Sequence, residues 1–246
     1  MQTEDEPEYW IMMGYSLERE GKTNKAQKYY EKALELDPDN FIAMNNRAKI
    51  LSNQGQNKEA LKIFKYLTQI NPGDAEGWIN LGISYTNEGN LNEAMSCYDK
   101  AKELDPINAA LWHGRGLTLR HQGKVREAIS NYDMSLKLRP LHEETLYNKA
   151  FAHMSILEFD EANKIYDEIL NTNPFHAGAI ANKGAIQCEM GNYEEGIEFF
   201  DNALRIEPNN VTVIRNKAQA VELLGDKESA NELYNQAMAL ELDYSL

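Results

Sequence analysis

Cysteine is nearly missing from this chain of 246 residues: Cys97 and Cys188 are the only two. So sparse a supply rules out a disulfide-stapled scaffold and suits a reduced compartment. Basic excess is also missing. Lys and Arg number 25 against 39 Asp and Glu, giving a formal net charge of −14. That balance repels phosphate backbones, and the cations are scattered among acids with no local stripe, so no nucleic-acid partner is expected. No apolar run reaches the length of a membrane-spanning helix, so no membrane partner is expected. The opening Met1-Gln2-Thr3-Glu4-Asp5-Glu6 is acidic with no apolar stretch behind it, which argues against a leader and makes the cytoplasm the expected location. Metal-ligand spacing is lacking too: His113 and His121 lie too far apart on one helix to share an ion, and His142 and His176 fall in turns. Ser, His and Asp form no recognisable nucleophile motif. Neither cofactor nor catalysis is expected.

What the chain has in abundance is periodicity. Pro38, Pro72, Pro106, Pro140, Pro174 and Pro208 recur every 34 residues. Gly21, Gly55, Gly89, Gly123, Gly191 and Gly225 keep the same beat, with Leu157 standing where one more would fall. A second pair of places holds only Gly or Ala, as in Gly14, Ala48, Gly82, Gly116, Ala150, Gly184 and Ala218, and again in Ala26, Ala60, Ala94, Ala128, Ala162, Gly196 and Ala230. One more is always aromatic: Tyr30, Phe64, Tyr98, Tyr132, Tyr166, Phe200 and Tyr234. Small residues on facing helices let backbones approach, and a ring a turn further on fills the seam. Apolar spacing within each window is helical: Trp78, Leu81, Gly82 and Tyr85, then, past Gly89, Leu91, Ala94, Tyr98 and Ala101. Proline ends the second helix. Asn40, Asp74, Asn108 and Asn210 are placed to cap the next. Leu157 implies a turn that either adopts another conformation or carries strain.

The string Trp78-x-x-Leu81-Gly82-x-x-Tyr85, followed by Ala94, Tyr98, Ala101 and Pro106, resembles the tetratricopeptide repeat. The resemblance runs from residue 7 to 244 in seven windows (7–40, 41–74, 75–108, 109–142, 143–176, 177–210, 211–244), with 1–6 as a short extension and no length left for a catalytic domain. It implies an all-α, right-handed superhelical solenoid of seven helix-turn-helix units and fourteen helices, a single domain over 7–246. It also implies that the first helix of each unit lines a concave groove, so the expected function is that of a non-catalytic protein-interaction scaffold holding an extended peptide there.

On those first helices one place reads Met12, Asn46, Asn80, Gly114, Asn148, Asn182, Asn216. An asparagine amide offers both donor and acceptor, so this ladder could pair with the backbone of an extended segment; alternatively, asparagine serves a local helix role here. Two neighbouring places give the middle repeats Ile79, Ile83, His113, Leu117, Tyr147 and Phe151. These form either an open apolar patch for a partner's anchor residue or packing between adjacent helices. Lys49 and Arg120 complete the candidate peptide-contacting set. No three consecutive repeats supply the lysines, asparagines and arginine of the carboxylate clamp known in the family, so capture of chaperone tails is not expected. The C-terminal repeat keeps Met238, Leu240, Leu242, Tyr244 and Leu246 without a further helix to cover them. Self-association or partner docking through that end is expected from this, and the rival expectation for the whole chain is a structural assembly subunit that uses its convex or terminal faces in a larger complex or homo-oligomer.

Overall fold

The computed structural model describes residues 4–243. Fourteen α-helices occur among them, in pairs that follow the repeat windows. The first helices of the pairs are α1 (Pro7–Arg19), α3 (Phe41–Asn53), α5 (Ala75–Asn87), α7 (Ala109–His121), α9 (Glu143–Ser155), α11 (Ala177–Glu189) and α13 (Val211–Leu223). The second helices are α2 (Thr23–Leu36), α4 (Asn57–Ile70), α6 (Leu91–Leu104), α8 (Val125–Leu138), α10 (Phe159–Thr172), α12 (Tyr193–Ile206) and α14 (Lys227–Asp243). They form two compact units, one of residues up to Leu138 and one from Arg139 onward. Within each unit the second helix of a pair packs on the first helix of the next, and successive first helices also touch, α3 on α5 and α5 on α7 in one unit, α9 on α11 and α11 on α13 in the other.

The seam inside each pair is built as the small and aromatic places require. Tyr30, Tyr98, Tyr132, Tyr166, Phe64 and Phe200 are all fully buried. A Cβ on Gly14 would lie 2.6 Å from the Tyr30 ring, and one on Gly116 would lie 2.6 Å from Tyr132. Backbones this close leave room for the ring only if the facing residue has almost no side chain. Tyr234, in the last pair, is only half-buried. The four expected caps form: the side chains of Asn40, Asp74, Asn108 and Asn210 accept from backbone N–H groups of the first turns of α3, α5, α7 and α13. His176 does the same for α11, its Nδ1 accepting from the Ala179 N–H at 3.1 Å, a role that composition alone does not suggest for histidine.

The turn inside the first pair shows why glycine recurs. Gly21 has φ 73°, Lys22 N–H donates to the Leu17 carbonyl at 2.8 Å and Gly21 N–H to that of Glu18 at 2.9 Å. This is the paired closure of a helix by a left-handed residue. Leu157 does not escape it. Its φ is 63°, Glu158 N–H donates to His153 at 3.0 Å and Leu157 N–H to Met154 at 3.0 Å. The fifth turn thus keeps the glycine conformation with a leucine, and the strained alternative is the one realised. His153 Nδ1 meets the Glu158 carboxylate at 2.7 Å and helps clamp the turn shut. Relief of left-handed strain is worth about 1–2 kcal/mol, against an entropic cost for glycine of about 0.5–1 kcal/mol. Leu157→Gly is therefore expected to stabilise the chain by up to about 1 kcal/mol and raise the melting temperature by about 2–4 °C. A melting temperature lower than that of the parent would contradict the strain.

Candidate functional site

The first-helix face of the first unit begins with side chains left open: Met12 and Ile42 are 60% and 48% exposed, and Tyr15 is 44% exposed. Asn46 is buried beneath them. Its Nδ2 donates to the Tyr15 hydroxyl at 3.0 Å and to the Ile42 carbonyl at 2.9 Å. Asn80 donates to Asn45 Oδ1 at 3.1 Å. Lys49 lies against Glu76 at 3.3 Å, so its charge is already answered. Ile79 belongs to the core, not the face. It is 2% exposed and packs with Ala94, Tyr98 and Leu111, so no ligand reaches it. Ile83 and Leu117 are half-buried, as is His113, whose ring lies 6.0 Å from that of Tyr132. Arg120 is half-buried at the end of α7. Burial, then the Arg120 charge, hold the neighbouring His121 below its ordinary pKa.

Gly114, the break in the asparagine ladder, has a structural cause. A Cβ there would stand 2.6 Å from the Tyr98 hydroxyl. That hydroxyl lies in a buried cluster with Thr86 and Thr118, whose Oγ1 atoms are 2.7 Å apart. Burial pushes the Tyr98 phenol up to about 12. It stays protonated as a structural hydroxyl.

In the second unit Tyr147 is held on several sides. Its ring stacks on His176 with centroids 5.2 Å apart, tilts against Tyr166 at 6.1 Å, and its hydroxyl accepts from Asn182 at 3.1 Å. The other Asn182 N–H reaches the buried Tyr166 hydroxyl at 2.9 Å. Burial and the nearby Tyr147 phenol push the Tyr166 pKa up, partly offset by the Asn182 donor. Asn148 donates to the Glu144 carbonyl one turn back at 3.0 Å. Phe151 is half-buried. The six residues of the apolar patch are thus divided, four in the first unit and Tyr147 and Phe151 in the second.

Further along the second unit a depression of about 370 Å³ opens between α11 and α13, lined by Ala185, Cys188, Tyr193, Asn216, Gln219 and Leu223 among others. Asn216 and Gln219 put two amides beside the small Ala185. Arg215 beside them pairs with Glu241 at 2.7 Å. At the C-terminal end Met238 is 56% and Leu242 63% exposed, and Leu240 is half-buried; Tyr244 and Leu246 lie outside the described residues. Both cysteines are free thiols, and burial pushes Cys97 up to about 12.

Some contacts were not legible from charge spacing along single helices. Arg115 pairs with Asp99, Lys183 with Asp167, and Lys217 with Asp201 at 2.5 Å, each joining a first helix to the second helix of the preceding pair. Arg47 makes the same reach to Glu31 at 3.6 Å. The signal appears only when the repeats are aligned, since the partners stand 16 residues apart. These cations staple repeats together. Among the described residues no three His, Cys, Asp or Glu side chains gather as a metal site, and no helix is long and apolar enough to cross a membrane.

Family profiles of the tetratricopeptide repeat match residues 7–40, 29–62, 75–108 and 176–241. The chain belongs to the tetratricopeptide repeat family. Repeats of this kind are typically non-catalytic and serve as scaffolds for protein–protein interaction. Among solved structures, Cut9 in the APC/C hetero-tetramer Cut9–Hcn1 is similar at 17% identity over 88% of this chain, with a TM-score of 0.82; the chain spans 43% of Cut9's length. PilF of Pseudomonas aeruginosa matches at 18% identity over 87% of this chain and 97% of its own, TM-score 0.68. YrrB, a tetratricopeptide repeat protein with an unusual peptide-binding site, matches at 22% over 76% of this chain and 97% of its own, TM-score 0.57. At these identities the likeness is one of fold. No curated protein matches the chain in sequence.

Proposed function

We propose that this chain is a non-catalytic scaffold that binds an extended protein segment along the first helices of its repeats, in the groove that tetratricopeptide arrays form. The observation that carries the reading is the depression between α11 and α13, which Asn216 and Gln219 line together with the small Ala185 and Ala220 and the larger Tyr193 and Leu223. An amide in such a place can pair with a ligand's backbone, while the small wall admits its side chain. The asparagine ladder contributes unequally. Asn46 and Asn182 spend their N–H groups inside the fold, so they offer mainly their carbonyl oxygens. Asn80 and Asn148 each commit one N–H, to Asn45 and to the Glu144 carbonyl, and keep the other, while Asn216 borders the depression. That YrrB carries a peptide-binding site and Cut9 assembles with Hcn1 is consistent with this use of the fold.

The test starts from a display library of disordered segments screened against the full chain. In the Asn148→Ala, Asn216→Ala, Gln219→Ala variant a selected peptide should bind at least tenfold more weakly, about 1.4 kcal/mol, with the circular dichroism unchanged. Equal affinity would move the site elsewhere. The second reading, an assembly subunit docking through α14, is favoured by the exposure of Met238 and Leu242. It predicts concentration-dependent mass in light scattering that Met238→Glu removes.

A further inference from the structure

In three repeats the fourth residue of the first helix is tryptophan, and in each its indole N–H makes the same bond. Trp10 donates to the Glu4 carbonyl at 2.8 Å, Trp78 to Pro72 at 2.9 Å and Trp112 to Pro106 at 2.8 Å, six residues upstream every time. A cation lies over two of these rings: Lys32 Nζ is 4.1 Å from the Trp10 centroid and Lys102 Nζ 5.5 Å from that of Trp112. Trp10 also stacks on Tyr29 with centroids 5.4 Å apart. In the sixth repeat the same place holds Ile180. There the second unit has an open, mainly apolar depression of about 690 Å³, its lining including Leu170, Pro174, Phe175, Ile180, Phe199 and Arg205.

The lining matches what surrounds the tryptophans. Leu170 occupies the repeat position of Lys102, Pro174 that of Pro106 and Phe199 that of Tyr29. Pro174 is the residue six upstream of Ile180, and among the described residues no indole donates to its carbonyl. Phe175 is 75% exposed on the turn and forms an outer wall. Arg205 stands at the rim with its guanidinium turned to Asn202 rather than to a carboxylate. It supplies the cation that the lysines supply elsewhere.

We propose that this depression is a docking site for an exposed tryptophan of a protein partner, flanked in that partner by a carboxylate. The incoming indole would lie between Phe175 and Phe199 over Ile180, with its N–H on the Pro174 carbonyl. Arg205 then serves both the ring face and the neighbouring acid, an attraction that stands out on a chain of net charge −14. The site lies on the edge of the inter-repeat turns, apart from the first-helix face, and does not depend on the proposed groove.

The experiment uses the full chain with labelled Ile, Leu and Val methyl groups and N-acetyl-L-tryptophan as probe. The methyl resonances of Leu170 and Ile206, which both line the depression, should shift and saturate in the millimolar range. N-acetyl-L-tryptophanamide, lacking the carboxylate, should bind at least threefold more weakly, and Arg205→Glu should erase that preference. Ile180→Trp fills the place from within and should abolish the shifts while raising the melting temperature. Phe175→Ser, on an exposed turn that the fold does not need, should weaken binding at least fivefold and covers the case in which Ile180→Trp does not fold. No shift in the parent chain, or shifts that persist in both variants, would overturn the proposal. So would binding of N-acetyl-L-phenylalanine, which has no indole N–H, as tight as that of the tryptophan probe.

Discussion

Leucine at Gly82 is expected to cost the first unit about 3 kcal/mol, the upper part of the usual range for overpacking. A Cβ alone would already stand 2.7 Å from Tyr98 Cε1 and 2.8 Å from Cζ. Elsewhere a ring could slide away, but Tyr98 is wedged. On its far side the Gly114 backbone lies so near the hydroxyl that a Cβ there would be 2.6 Å away, and the hydroxyl is held among Thr86 and Thr118. Two glycines from adjacent repeats thus clasp one tyrosine, and relieving either contact means breaking a buried polar cluster. Alanine at Gly82 is milder, since Ala48 and Ala150 occupy the same place beside Phe64 and Tyr166. Because repeats couple to their neighbours, the loss should be local. Hydrogen exchange should quicken in α5, α6 and α7 while α11 to α14 keep their protection. Urea unfolding with the midpoint of the parent would show that the seam is looser than these distances.

Which parts of this molecule were legible in sequence depends on how local their physics is. Turn glycines, seam rings and the Asn40, Asp74, Asn108 and Asn210 caps are decided within a few residues and repeat in phase, so alignment of the windows reveals them. Leu157 was readable as a conflict and resolved in favour of the turn geometry, because both closing hydrogen bonds need the left-handed residue. The candidate face was legible as positions but not as availability. Ile79 is enclosed by Tyr98 of its own repeat and Leu111 of the next, whereas Ile83, one turn on, packs against the same cluster but stays half-buried. The inter-repeat ion pairs escaped notice for a related reason. Each partner lies on a different helix, and both change together at the junction of the second and third repeats, where Lys65 and Leu81 replace the pair. Nor does a tryptophan-to-isoleucine change announce an empty place until the bond from the other tryptophans to a carbonyl six residues upstream is seen.

The asparagine ladder shows the same limit most sharply and leads to the second large effect. Asn182→Ala is expected to destabilise the second unit by about 2 kcal/mol, since it strips a donor from two tyrosine hydroxyls, one of them fully buried. Asn216→Ala, at the same repeat position beside the open depression, should cost less than about 0.5 kcal/mol. Aligned sequence treats these residues as equals; the tyrosines of the fifth repeat make them different. The source of the cost can be isolated. In Tyr166→Phe the buried hydroxyl is gone, so adding Asn182→Ala should cost about 1 kcal/mol less than it does in the parent, a coupling well above the error of a double-mutant cycle. Additive losses would mean that Asn182 stabilises the unit through packing alone. A loss as large at Asn216 as at Asn182 would assign the ladder to helix stability throughout and leave the Gln219 amide and the apolar walls to hold any bound segment. The variants that separate these outcomes also decide which asparagines belong in a binding experiment. Asn182 does not, because a weakened second unit would release a ligand from any of its surfaces.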